Sequence, residues 1–200
     1  MKKLIFTLLI MATPFLAQAQ KRPGTVTIYP RIGVNWSRFT GDKIYIADMW
    51  DSEYDADAKY RTGFTAGAEV QYQFNSNVAA SFGALYSKQG TDYNHIPGDF
   101  GKTSVRTDNL LVPVLFVETT PVGVSIKVGV QAEFLLDSNI YNDFMKKVNL
   151  SIPVGLSYEW HNIAIDARYN IGVTKVYKNY FFPDAKSSSF LLTLGYGIDL

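Results

Sequence analysis

The chain has 200 residues, 47% of them hydrophobic and 18% charged, with a formal net charge of +1 and no cysteine. A balance so near neutral, without a Lys/Arg cluster, gives no reason to expect nucleic acid. The absence of cysteine excludes a disulfide scaffold and an N-terminal lipid-modified cysteine.

Met1–Gln20 differs from everything after it. Lys2 and Lys3 make a basic start, Leu4 to Leu16 is apolar, and Ala17-Gln18-Ala19 is an A-x-A cleavage site. These are the three parts of a secretory signal peptide, here residues 1–19, which leaves residues 20–200 as one mature domain. No later segment approaches ~18 consecutive apolar residues, so no transmembrane helix is expected.

Beyond the leader the dominant pattern has period two. From Val26 to Trp36 the apolar parity is Val26, Ile28, Pro30, Ile32, Val34 and Trp36, and the polar parity includes Thr27, Arg31 and Asn35. A polar, Asp-rich stretch follows from Gly41 to Lys59. A second strand, Arg61 to Phe74, sets Phe64, Ala66, Ala68, Val70, Tyr72 and Phe74 opposite Gly63, Thr65, Gly67, Glu69 and Gln71. Asn75-Ser76-Asn77 signals a tight turn, and Val78 to Lys88 alternates again. Gln89 to Thr107 is a second long polar segment. Asn109 to Thr119 is apolar on both parities, so its facing stays open.

Thr120-Pro121 turns the chain into Val122–Leu136, where apolar and polar residues alternate over fifteen positions. That is well beyond an ordinary globular strand and more than the ~9–11 residues a tilted strand needs to cross a bilayer. After a connection at Asp137–Lys147, Val148–Trp160 and Ile163–Val173 alternate cleanly about the His161-Asn162 turn. A last connection, about Lys175 to Ser188, leads to a terminal strand with Leu192, Leu194, Tyr196, Ile198 and Leu200 on one parity. Eight strands joined by alternately long and short connections predict an all-β, eight-stranded antiparallel up-and-down transmembrane barrel in the outer membrane, with a lumen only wide enough to be filled by side chains.

Alternation alone does not choose between a membrane barrel and a soluble, lipocalin-like periplasmic barrel holding an apolar ligand. Charge distribution favours the membrane. Arg31, Glu69, Lys127, Glu133, Glu159, Asp166, Arg168 and Asp199 share the polar parity, and are expected as structural charges of the lumen, with Arg31 and Glu69 as partners on neighbouring strands. Glycine is frequent on the same parity, as where a narrow interior must admit long side chains. Trp36, Tyr72, Phe74, Tyr158 and Trp160 cluster near strand ends, as an aromatic girdle does. Pro30, Pro113 and Pro153 each remove a ladder donor, and a bulge or a rim position is expected to absorb them.

The chain resembles the PorT-type outer-membrane barrels of Bacteroidota, related in architecture to small OmpA/OmpX-like barrels. The resemblance rests on Gly33-Val34-Asn35-Trp36-Ser37 with Thr40-Gly41, Gly63-Phe64-Thr65-Ala66-Gly67, Leu85-Tyr86-Ser87-Lys88-Gln89-Gly90, Leu110-Leu111-Val112-Pro113 and Arg168-Tyr169-Asn170-Ile171-Gly172. It implies an outer-membrane location but no single task, since that family includes a secretion- and gliding-associated member. Such barrels usually end on an aromatic, whereas this chain ends on Leu200.

Chemistry-bearing residues are sparse. His95 falls in a long connection and His161 in a short turn, neither near a nucleophile, so no catalytic residue, cofactor or metal is expected. Asp48, Asp51, Glu53, Asp55 and Asp57 lack EF-hand spacing and its glycine. Tyr180, Phe181 and Phe182, with Tyr177 and Pro183, make the last connection aromatic and a candidate contact for a partner. The expected function is a non-enzymatic structural or binding role, with an accessory part in a secretion or surface-assembly machine, a soluble ligand carrier and a lipid-modifying enzyme as alternatives. Expected partners are outer-membrane lipid and lipopolysaccharide, the barrel-insertion machinery during biogenesis, and an unidentified extracellular partner.

Overall fold

A computed structural model describes residues 21–40, 44–45, 53–54, 58–93, 103–139, 145–178 and 185–200. Eight long antiparallel strands dominate: β1 (Val26–Thr40), β2 (Ala58–Gln73), β3 (Val78–Tyr93), β4 (Thr103–Thr119), β5 (Val124–Ser138), β6 (Val148–Trp160), β7 (Ile163–Lys175) and β8 (Lys186–Tyr196). Each pairs with its neighbours in sequence, and β1 also pairs with β8, from Arg31 opposite Gly195 to Thr40 opposite Lys186. The sheet is a closed barrel without an edge. After Gly197 the last strand resumes as Ile198–Asp199, again against β1. Within the first long connection Ile44–Tyr45 pairs with Glu53–Tyr54.

The facing is that of a barrel in lipid. Ile32, Val130 and Leu156 are 64%, 62% and 57% exposed on the outer wall, whereas Arg31, Lys127 and Arg168 are 4% exposed or less. The outward parity is apolar on every strand, which overturns the soluble-carrier alternative. With no water in hydrocarbon to satisfy the backbone, only a helix or such a closed sheet can span it.

Three sequence expectations are corrected. First, β3 and β4 run on to Tyr93 and back from Thr103, so much of Gln89–Thr107 is strand rather than connection. β8 likewise begins at Lys186, inside the stretch expected as loop. Beyond the lipid neither face needs aliphatic residues, so the ladder continues while its alternation fades. Second, the prolines sit at neither bulge nor rim. The ladder skips two residue pairs around Pro113, between Phe82–Val114 and Leu85–Leu111, and around Pro153, between Val128–Val154 and Gln131–Ser151, with register unchanged. Pro30 has the same gap on its β8 side. Third, glycines on the inner parity have two different causes. An added Cβ at Gly83 would lie 2.6 Å from Glu69 Cγ, so that glycine does make room for a lumen side chain; at Gly129 it would lie 2.0 Å from the Val114 carbonyl oxygen, so there the neighbouring backbone is what excludes it.

The structure also settles β4. Its odd residues face inward, with Leu111, Leu115 and Val117 at 1% exposure or less. They pack with Leu85 and Leu191, or with Ala79, so one wall of the lumen is apolar and both parities of this strand read alike. The β6–β7 turn is two residues, His161 and Asn162, both at positive φ (47° and 66°), the geometry that matches strand twist in a tight hairpin.

Candidate functional site

The inward face of β1 traverses the lumen in layers: Tyr29, Arg31, Asn35, then Phe39. At the level of Arg31 lies a cluster of five charged side chains. The Arg31 Nε is 2.8 Å from Glu69 Oε2, the Arg168 Nη2 is 2.7 Å from Glu69 Oε1 and 3.2 Å from Asp166 Oδ1, and the Lys127 Nζ is 2.7 Å from Asp166 Oδ2. Arg31 reaches toward Asp166 as well, at 3.9 Å. Two carboxylates thus hold three cations, the five side chains coming from four strands. The cross-strand register places them so: Glu69 lies opposite Tyr29, two residues from Arg31, and Arg168 lies opposite Gly155, which in turn lies opposite Lys127. Gly195, opposite Arg31, leaves room for that side chain: a Cβ there would lie 3.2 Å from Arg31 Cγ.

The other expected lumen charges are placed apart. Glu133 is buried but accepts hydrogen bonds from Gln131 Nε2 (3.0 Å) and Ser151 Oγ (2.7 Å), with no cation beside it among the described residues. Glu159 lines a polar recess that opens at the short-turn end, walled by Tyr29, Gln71, Thr119 and Ser157 and floored by Arg31 and Lys127. It accepts from the Tyr29 hydroxyl (2.6 Å) and pairs with Lys21 at 3.2 Å. Asp199 is not a lumen residue: its side chain is 49% exposed at the rim, 2.8 Å from Lys21 Nζ and 2.6 Å from Thr27 Oγ1. The register runs unchanged past Gly197 and sets Asp199 opposite Thr27, at the end of the ladder. Burial raises its carboxyl, but Lys21 and Thr27 outweigh that and hold it below the ordinary carboxylate range.

At the long-loop end the lumen is closed by apolar side chains that sequence reasoning missed, Phe39, Tyr93, Val105, Met145, Val176 and Ala185, together with Tyr177, which was expected with the aromatic partner contact and is buried here instead. The rings of Phe39 and Tyr177 meet edge to face with centroids 6.0 Å apart. Burial, together with the adjacent Tyr93 hydroxyl, pushes the Tyr177 hydroxyl well above its ordinary pKa. A signal existed, because Phe39 continues the parity of Arg31 and Asn35, and large apolar groups on an inward parity beyond the outer aromatic residues mark a cap.

Of the expected girdle residues, Tyr72, Phe74, Tyr158 and Trp160 stand outward at the short-turn end, with the Tyr72 and Phe74 rings 5.1 Å apart. Trp36 stands alone among them near the long-loop end, and there it joins Phe190 (5.7 Å), with Phe64 and Tyr86 (5.7 Å) on the next strands. His161 packs edge-on against Trp160. The acids Asp48, Asp51, Asp55 and Asp57, the side chain of Glu53, His95, Tyr180, Phe181, Phe182, Pro183 and the segment 1–19 lie outside the described residues. No group of three or more metal-ligating side chains occurs among the described residues.

An edgeless barrel with an aliphatic wall, aromatic residues toward both ends and ions confined to its axis defines a transmembrane β-barrel. The chain belongs to the family of the outer membrane protein beta-barrel domain, which matches residues 18–178, and it is accordingly an outer-membrane barrel. Similar solved structures include the outer membrane protein OprG from Pseudomonas aeruginosa, 12% identical with 91% of this chain and 98% of that chain covered at a TM-score of 0.53. Neisserial surface protein A (NspA) is 12% identical over 84% of this chain and 96% of that one, with a TM-score of 0.50. At such identities the likeness shows the fold alone. No curated protein matches the sequence.

Proposed function

We propose that the protein is a closed, non-enzymatic barrel whose role is structural or one of binding, exercised through the connections at its long-loop end rather than by passage through its lumen. One observation carries this reading: the axis is blocked at mid-depth by Arg31, Glu69, Lys127, Asp166 and Arg168, all 4% exposed or less and engaged with one another. A conduit would keep such groups hydrated and open; a plug pairs them with one another. The apolar cap adds a second closure of different chemistry. In planar bilayers the purified protein should therefore give no conductance above the bare membrane, and sustained single-channel openings would refute the closed lumen.

The finer assignments rest on sequence. The basic start, apolar run and A-x-A site support export with cleavage after Ala19, and N-terminal sequencing of the mature protein should begin at Gln20. The motifs shared with PorT-type barrels of Bacteroidota support an accessory role in a secretion or surface-assembly machine as a second reading, and co-purification with a large envelope assembly would favour it. Tyr180, Phe181 and Phe182 remain the proposed partner contact. Deleting residues 179–184 should preserve the mobility difference between boiled and unboiled protein while abolishing partner capture.

A further inference from the structure

The two rims differ in what lies beyond their aromatic residues. At the long-loop end Tyr169, Phe190 and Trp36 stand opposite one another in register across β7, β8 and β1, and Phe64 and Tyr86 extend the shelf onto β2 and β3. Toward the long connections from that shelf come Lys186 on β8, Arg38 on β1, Lys88 on β3 and Arg106 on β4. Lys186, Lys88 and Arg106 are exposed and Arg38 is partly so. Arg38 lies 4.8 Å from the Tyr60 ring centroid and Lys88 5.8 Å from that of Phe64, so aromatic faces hold two of the cations at the wall.

None of these four has a carboxylate within ion-pair distance among the described residues. Of the strand carboxylates nearby, Asp92 is engaged by Arg61 at 3.0 Å and Asp108 by the Tyr86 hydroxyl at 2.6 Å, while Asp137 stands exposed on β5 opposite Asp108. The short-turn rim has aromatic residues too, but there Lys21 is consumed by Glu159 and Asp199, and Glu118 stands exposed on β4. Among the described residues, four cations without a carboxylate partner sit just beyond the aromatic shelf at the long-loop rim, whereas the short-turn rim offers Arg22.

We propose that this arc is a binding site for the phosphate groups of the outer-leaflet glycolipid, with its acyl chains lying on Phe190, Trp36, Phe64 and Tyr86. The apolar shelf below the cations selects an amphiphile over a soluble polyanion. Span selects the headgroup: β8 to β4 is four interstrand steps of ~4.8 Å, roughly 19 Å, wider than one phosphodiester and suited to a sugar headgroup with more than one phosphate. The site depends on the outer-membrane location and is independent of the closed lumen.

The test uses the full-length mature protein in nanodiscs, with retained lipid read by native mass spectrometry. Bisphosphorylated lipid A, dephosphorylated lipid A and phosphatidylglycerol are compared on the wild type and on the triple variant R38Q/K88Q/K186Q. The wild type should retain bisphosphorylated lipid A at least tenfold more than either other lipid, and the variant should lose most of that preference while keeping its heat-modifiable mobility. K21Q, at the opposite rim, should retain lipid as the wild type does. Equal retention of the dephosphorylated form, phosphatidylglycerol held as strongly, or a folded triple variant with undiminished preference would each overturn the site. Because the lipid comparison is made on the wild type, a variant that fails to assemble leaves the test decisive.

Discussion

The same tube is filled by two chemistries a few residues apart along β1. Around Arg31 the packing consists of ions, two carboxylates against three cations; around Phe39 it consists of rings and aliphatics. Lipid dictates the outer wall at the first level, so the inner wall is free to be polar, and it must then pair its ionisable groups or hydrogen-bond them, as Gln131 and Ser151 do for Glu133. At the second level the strands have left the hydrocarbon, and the interior behaves as a small soluble core stapled by the Phe39–Tyr177 contact. The comparison teaches that inward-facing here means satisfied or packed, not polar as such.

Perturbing the ionic level should cost most. Among the described residues Glu69 is the only partner bridging Arg31 and Arg168 at under 3 Å, so Glu69→Ala leaves two guanidiniums and Lys127 facing Asp166 alone. The expected destabilisation in urea titration is ~3–5 kcal/mol, the usual penalty for an orphaned buried charge. Arg31→Ala should cost less, because Glu69 keeps Arg168. The double variant should cost less than the sum of the singles, and strict additivity would remove the pairing. At the apolar level Met145→Ala should cost about 2–3 kcal/mol, the lower part of the range for a truncated core side chain, because the cap lies at an open end. Its effect should be insensitive to salt and should add to that of Glu69→Ala. Marked coupling between the two would mean that the levels are one unit.

How much of this was legible depends on which solvent each residue meets. Lipid imposes a strict rule, so the outward set, the eight strands and the inward placement of Glu69, Lys127 and Arg168 could be read from period two. The interior imposes only satisfaction, and there the reading thinned. β4 was undecidable because Leu111 and Leu115 are as apolar inward as Val114 and Phe116 are outward. Glu133 and Arg168 share a parity, yet only Arg168 reaches the cluster, since depth follows from register and register is not visible in one strand. Asp199 keeps the inward parity, yet its pairing with Thr27 at the end of the ladder puts it at the mouth, and that depth too is set by register. The cap was missed because Tyr93, Met145 and Tyr177 sit in segments whose alternation had already failed, and the girdle near the long-loop end needed Phe190 and Tyr86 to be placed beside Trp36 and Phe64 by strand pairing.

Smaller effects sharpen the same contrast. Gly83→Ala would force its Cβ against Glu69 Cγ, and should cost ~1–3 kcal/mol as overpacking. In the Glu69→Ala background most of that cost should vanish, whereas a cost preserved there would show that the backbone, not the cluster, demands glycine. The smallest effect belongs to the rim, where Asp199 holds Lys21 and Thr27 half in water. Its folded carboxyl lies below its ordinary value, so its contribution is complete above the unfolded pKa of ~3.9 and is lost as pH falls through the lower folded value. Solvent screening limits it to roughly 0.2–1 kcal/mol. Comparing urea midpoints of wild type and Asp199→Asn should show that difference at pH 6 and none once both carboxyl states are neutral. A difference that survived full protonation would belong to the Thr27 hydrogen bond rather than to charge, and would make the rim, like the cap, a matter of packing.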